Sequence, residues 1–202
     1  MDSLLLEIGT EEIPAGYIHP ALEALSKTLL QKLTEARIDH GGAEIFGTPR
    51  RLAVKIEKVA ARQQSIETEI IGPPARIGFD ENGEPTTAAH KFAQKVGVAV
   101  NKLAVKETDK GSYLHVAKLE RGQATRIVLK RILPKVILAI PFPKKMRWAN
   151  LDIEFARPIH TLLALLGKSV IRFQLGRISS GRVTHGHYFM ASGKIKISHA
   201  DD

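Results

Sequence analysis

The chain has 202 residues, 44% of them hydrophobic and none of them cysteine, which allows an ordinary globular core but excludes disulfides and thiolate chemistry. Its net charge of +9 is unevenly placed: −3 over residues 1–101 (11 Lys+Arg, 14 Asp+Glu) and +12 over residues 102–202 (19 and 7). That asymmetry points to a polyanion or an acidic partner surface, and no basic amphipathic helix with exposed aromatics argues for a membrane instead.

Residues 3–8 read as a short buried strand closed by Gly9-Thr10. The acidic Asp2 and Glu7 around it do not fit a signal peptide, and no apolar run approaches the ~20 residues of a spanning helix. A soluble, cytoplasmic protein is the expectation. Pro14, Gly16 and Pro20 predict a turn. From Pro20, Leu22, Leu25, Leu29, Leu33 and Ala36 recur at helical spacing, with Glu23 and Lys27 placed for an i,i+4 pair. Gly41-Gly42 ends that helix, and strands over 52–59 and 66–71 follow.

Residues 72–86 read as a loop. Its Asp80-Glu-Asn-Gly83 is a turn rather than a calcium loop, because the first and twelfth ligand positions would fall on Gly78 and Ala89. A helix is predicted over 87–96, then a hairpin of 102–108 and 112–119 around Asp109-Lys-Gly111. Residues 123–139 form an apolar helix interrupted or kinked near Pro134. A strand at 153–155, an apolar segment at 158–166, a strand over 170–175 and a last strand over 194–197 complete the chain. This order predicts an α+β fold with mixed or antiparallel sheets and packed helices. Residues 1–202 are expected to form one α+β region, with places for a subdivision near 72–87 or 140–150. The ending Ser198-His-Ala-Asp-Asp202 resembles the start of a helix with none after it, as in a fragment of a larger multidomain subunit.

The candidate chemistry centres on the loop after the last helix. Pro141 and Pro143 stiffen it and remove two backbone donors, and Lys144, Lys145, Arg147 and the single Trp148 follow. Cations and an indole on a stiff loop suit phosphates and a stacked base. Arg50 and Arg51 after Thr48-Pro49 are either an anion site or a charged strand edge. Glu11 and Glu12 can be read as an acid–base pair, but adjacent residues on an extended chain point apart, so a capping role for Thr10 or Glu12 is expected. His185 and His187 would share a strand face, with no third ligand marked by spacing, and no metal site is assigned. No phosphate-binding glycine motif of Walker or Rossmann type is present.

Eight segments taken together resemble the bacterial glycyl-tRNA synthetase β subunit. They are Leu5-Leu-Glu-Ile-Gly-Thr-Glu-Glu-Ile-Pro14, Thr48-Pro-Arg-Arg-Leu-Ala53, Ile71-Gly-Pro-Pro74 with Phe79-Asp80, and Thr108-Asp-Lys-Gly111. Then come Pro141-Phe-Pro-Lys-Lys-Met-Arg-Trp148, Phe155-Ala-Arg-Pro-Ile-His160, Leu165-Leu-Gly167 and Gly186-His-Tyr-Phe189, all in the family's order. Ile13 and Tyr188 stand where the family often has Leu and Arg. The resemblance implies a part of the tetrameric α2β2 glycine–tRNA ligase. Its α subunit makes glycyl-adenylate from ATP with Mg, and its β subunit engages glycine tRNA. It also implies that the family's later HD-type and anticodon-binding domains are absent here, and it carries no catalytic residue and no bound cofactor onto this stretch.

The residues expected to meet RNA or the α subunit are Lys144, Lys145, Arg147 and Trp148, with Arg50, Arg51 and Arg182 as further candidates. No DNA or membrane partner is expected. Two other readings stand beside this one. One is a bracing role within the longer subunit; the other is an editing-type hydrolytic site using Glu11 or Glu12 with a histidine. Glycine has no smaller competitor to exclude, which weakens the case for editing.

Overall fold

A computed structural model describes residues 1–80, 83–109, 111–147, 153–187, 190–191 and 193–202. In chain order its elements begin with β1 (Asp2–Thr10), α1 (Ala15–Glu35), β2 (Ala43–Thr48), β3 (Arg51–Val59) and β4 (Ile66–Pro74). Next come α2 (Ala75–Gly78), α3 (Thr87–Val96), β5 (Ala104–Thr108), β6 (Gly111–Glu120), α4 (Thr125–Leu138), β7 (Met146–Arg147) and β8 (Glu154–Phe155). The last are β9 (Ile159–Leu166), β10 (Ser169–Val170), β11 (Gln174–Leu175), β12 (Ile178–Ser179), β13 (Val183–His185) and β14 (Lys194–Lys196). The fold is α+β, and every pairing between these strands is antiparallel. The chain divides into two compact units, residues 1–64 with 123–202, and residues 65–122.

The larger unit is built on a five-stranded sheet in the order β10-β9-β1-β3-β2. Alternation on β1 places Leu4, Leu6 and Ile8 on one face, paired with Ile56, Val54 and Leu52 of β3 and with Leu166, Ala164 and Leu162 of β9. That face shares one core with Leu22, Leu25, Leu29 and Leu33 of α1 and Leu129, Leu133 and Ile137 of α4. Fully burying each of these leucines is worth roughly 1.5–3 kcal/mol, which outweighs the modest helix propensities around them. The opposite face carries Leu5, Glu7 and Gly9 on β1 and Leu165, Leu163 and Thr161 on β9. Around Leu163 and Leu165 it is covered by Ile197 and Ala200, and Lys55 on β3 pairs with Asp201 at 2.9 Å. At the Gly9 end it stays polar.

Several expectations need correction. The helix begins at Ala15, not after a Pro14–Pro20 turn, and Pro20 lies inside it. Proline there forfeits only the bond to the carbonyl of Gly16, and both residues are exposed, so water can take that carbonyl. Glu23 pairs with His19 at 3.2 Å rather than with Lys27. No side chain caps this helix: Tyr17 N–H donates to Pro14 O at 2.8 Å, so neither Thr10 nor Glu12 has the expected capping role. α4 runs without interruption through Pro134. The apolar segment at 158–166 contains β9, a strand buried along most of its length beside β1. The single strand expected over 170–175 is two short ones, β10 and β11, separated by residues 171–173. β2, with its Gly47, was not foreseen; it is a mostly exposed edge strand registered on β3 from Ala43↔Ile56 to Thr48↔Arg51.

The smaller unit is a three-stranded sheet, β4-β6-β5, with α2 and α3. Leu114 and Val116 of β6 and Ala89, Ala93 and Val96 of α3 are its buried apolar residues. α3 ends at Gly97 with φ 74°, whose N–H donates to Ala93 O at 2.9 Å, an αL cap that glycine adopts without strain. The Asp80 turn is closed by Gly83 N–H donating to Asp80 O at 3.0 Å and Glu84 N–H to Asp80 Oδ1 at 2.8 Å.

Candidate functional site

The polar end of the sheet's second face opens into a cleft of about 680 Å³ within the larger unit. Four separate chain segments form it: the end of β1, the β2–β3 turn, the start of β9 and the end of β13 with Gly186 and His187. Each belongs to one of the eight segments that carry the family resemblance, or directly adjoins it. Backbone bonds hold them together. Thr10 N–H donates to Arg50 O at 2.9 Å, Glu11 N–H to Pro158 O at 3.0 Å, and Ile13 N–H to Pro49 O at 2.6 Å. Gly9 is required where β1 meets β9: a Cβ there would sit 2.1 Å from Thr161 Oγ1, its cross-strand partner.

Two ion-pair systems line the cleft and its rim. Glu11 accepts from Arg50 Nη2 at 3.1 Å through Oε2 and from His160 Nε2 at 2.8 Å through Oε1. The hydrogen bond from His160, with the nearby Arg50 charge, holds the Glu11 carboxyl below its ordinary value of 4.5. Glu7 lies 3.4 Å from Arg51 Nε and accepts the Thr184 hydroxyl at 2.5 Å. Arg51 also donates through Nη2 to the carbonyl of His185. His187 Nδ1 accepts the Met190 N–H at 3.3 Å, so its neutral ring carries the proton on Nε2. Thr10, 4% exposed, forms part of the wall, and its hydroxyl has no partner among the described residues.

A second, smaller groove of about 150 Å³ lies beside the basic loop. Pro14, Tyr17, Lys144, Lys145, Met146, Ala156 and Arg157 line it. The loop is fixed by Phe142, which stands edge-on to Phe155 with ring centroids 4.8 Å apart. Arg157 Nε donates to Glu12 O at 3.0 Å, tying the end of β1 to the same region.

The residues singled out in the sequence therefore occupy different situations. Lys144 and Lys145 are exposed and line the small groove. Arg147 is exposed on β7 and lies 3.6 Å from Glu154 on β8. Trp148 lies outside the described residues. Arg50 and Arg51 face the large cleft and are engaged by Glu11 and Glu7. Arg182 donates to Lys168 O at 2.9 Å, away from the other candidates. Glu11 and Glu12 do not act as a pair: Glu11 is bound to Arg50 and His160, while Glu12 is exposed at the cleft wall. His160, Glu7 and Thr161 were not singled out. His160 is 149 positions from Glu11, and no local spacing marks such a contact.

The family model described as glycyl-tRNA synthetase beta subunit matches residues 4–202. The chain is 53% identical over 197 residues to the glycine–tRNA ligase beta subunit of Desulfatibacillum aliphaticivorans, an alignment covering 98% of this chain and 29% of that protein. It is 48% identical over 201 residues to the beta subunit of Desulforapulum autotrophicum, with 100% of this chain and 29% of the relative covered. For Syntrophus aciditrophicus the identity is 43% over 201 residues, with the same coverage of 100% and 29%. The chain thus spans under a third of the length of these relatives. Among the described residues no helix is long and apolar enough to cross a membrane.

Proposed function

Since the chain belongs to the glycyl-tRNA synthetase β-subunit family, we propose that it serves a glycine–tRNA ligase as a tRNA-contacting and α-subunit-docking part of the β subunit. In this reading the adenylate is made from ATP and glycine at the α subunit, and these residues position RNA rather than activate the amino acid. The observation that carries it is the groove beside the basic loop. Lys144, Lys145 and Arg157 line it together with Tyr17, and no carboxylate is among the lining residues. Cations directed at phosphates next to an aromatic face are what a single-stranded or junction segment of RNA needs. Anchoring by buried Phe142 and Phe155 gives the loop the fixed geometry that makes such contacts efficient. Docking of the α subunit would use the same exposed side of the loop.

The hydrolytic reading gains the contact of Glu11 with His160, but Glu11 is also committed to Arg50. A carboxylate shared between a guanidinium and an imidazole ties three chain segments together, which suits a structural clamp better than a base awaiting a proton.

The test is a salt series of glycine tRNA binding by the full-length β subunit in complex with α. With Lys144→Ala and Lys145→Ala combined, the slope of log K against log salt should fall by about 1.4–1.8, the value for two lost contacts to single-stranded or duplex phosphates. An unchanged slope with unchanged affinity would remove the loop from the RNA footprint. An unchanged slope with loss of the α–β complex would make it a docking element.

A further inference from the structure

We infer that the outer face of α4 is a second RNA-contacting surface, which tracks the phosphates of a strand laid obliquely across the helix. The inference shares with the reading above the premise that this chain contacts RNA, but concerns a different element. Residues 121–151 hold eight Lys+Arg and no Asp or Glu. Three of the eight lie on the basic loop and Arg121 precedes the helix; the other four, Arg126, Lys130, Arg131 and Lys135, lie on α4 and are all exposed. The helix buries Val128, Leu129, Leu133, Val136 and Ile137 in the core. At about 100° per residue, the four cations then spread across the half turned to solvent.

This charge does not serve the fold. Arg126–Lys130 and Arg131–Lys135 are like-charged i,i+4 pairs, which repel, and Arg126 stands in the first turn, at the positive end of the helix dipole. Among the described residues no carboxylate forms an ion pair with any of the four, and Arg131 donates to Gln123 Oε1 at 2.6 Å. A surface selected for stability alone would intersperse both signs. A polyanion removes the repulsion. From Arg126 to Lys135 the helix rises about 14 Å, a length over which one nucleic-acid strand carries about four phosphates. Angle and rise increase together along Arg126, Lys130, Arg131 and Lys135, so a strand crossing obliquely meets them in chain order. An acidic protein helix would need an apolar seam as well as charge. The face offers Ile127, 52% exposed, with Pro134 and Leu138 half-buried and no aromatic residue, whereas protein interfaces are anchored by aromatic side chains seated in pockets.

The experiment is a salt series of glycine tRNA binding by the full-length β subunit in complex with α, with Arg126→Gln, Lys130→Gln and Lys135→Gln combined. Glutamine removes the charge and keeps the helix propensity. The slope of log K against log salt should fall by about 2.1–2.7, the value for three lost phosphate contacts. Raising salt from 50 to 200 mM should then weaken the variant about 20- to 40-fold less than the parent. The charge-keeping protein with Arg126→Lys, Lys130→Arg and Lys135→Arg should retain the parental slope, and Ile127→Gln should leave slope and affinity unchanged. Circular dichroism and thermal unfolding of each variant check that the fold is retained. An unchanged slope in the triple glutamine protein would overturn the inference; if the α–β complex is lost at the same time, the face belongs to an acidic protein partner. A loss in Ile127→Gln as large as in the triple glutamine protein would also overturn it, by making the face a packing surface. The Lys144→Ala, Lys145→Ala protein separates the two readings. A fall in slope with the helix variant alone supports the helix face and refutes the loop, and a fall with the loop variant alone does the reverse. A fall with neither refutes the RNA-contacting reading with both.

Discussion

Phe142 moors the loop that carries Lys144 and Lys145, and its replacement separates mooring from charge. The ring is 8% exposed, stands edge-on to Phe155 at 4.8 Å and 71°, and lies 6.4 Å from Tyr17 at a tilt of 40°. Truncating a buried Phe to Ala typically costs about 3–5 kcal/mol through lost transfer energy and the cavity left behind. Within that, the aromatic pair with Phe155 accounts for about 0.5–1.5 kcal/mol. The residual exposure of Phe142 places the expected cost toward the lower end, about 3 kcal/mol, measured by urea unfolding. Phe142→Leu keeps most of the apolar volume and should cost about 1.5 kcal/mol or less. A protein with an ordinary stability of about 5–15 kcal/mol stays folded after that change and can be used for binding. Its affinity for glycine tRNA should fall several-fold because the lysines lose a fixed base, while the salt slope stays constant because both charges remain. A cost of less than about 1 kcal/mol for Phe142→Ala would refute the mooring role. So would a Phe142→Leu protein whose salt slope falls as a lysine deletion would make it fall.

Two further outcomes test the cleft's construction. Gly9→Ala brings a Cβ to 2.1 Å from Thr161 Oγ1 and 3.4 Å from its Cβ. It should destabilise by about 1–3 kcal/mol, with the double variant carrying Thr161→Ala recovering about 0.5–3 kcal/mol of coupling; additive losses in denaturant unfolding would refute the contact. The Glu11 carboxyl is held low chiefly by the hydrogen bond from His160 and then by Arg50. Its folded value therefore lies below its unfolded one, so its stabilising contribution is complete above the ordinary value of 4.5 and is lost as pH falls through the folded value. The stability gap between parent and Glu11→Gln should narrow on acidification; a gap constant with pH across the acid range would contradict the pairing.

Much of the fold was legible because it follows from local pattern. The 3.6-residue recurrence of Leu22, Leu25, Leu29 and Leu33 gave the first long helix, and the alternation after Arg51 gave β3. The 87–96 helix was read with the bounds it has, Thr87–Val96, because Ala89, Phe92, Ala93 and Val96 recur on one face. Errors arose where tertiary packing overrides local signals. Pro20 reads as a breaker, but the buried Ala21, Leu22 and Leu25 beyond it draw the preceding turn into the helix. β9 reads ambiguously as a run of apolar residues because it packs on both faces, which erases the period-2 signal. β2 went unseen because an exposed edge strand has little burial to pattern its sequence: only Ala43 and Ile45 pack against the core, and its register comes from β3.

The candidate site was half legible for a related reason. Residue type and net charge identify cations but not their partners, and the partners decide what each cation does. Arg50 and Arg51 sit in the net-negative first half of the chain and are engaged by Glu11 and Glu7, while Lys144 and Lys145 are exposed on a proline-stiffened loop. An arginine shared with a carboxylate contributes little long-range attraction but offers a flat face and directed donors. An exposed lysine does the reverse, acting on phosphates as a point charge at a distance. The larger unit therefore carries two chemically distinct surfaces that the sequence showed as one basic population.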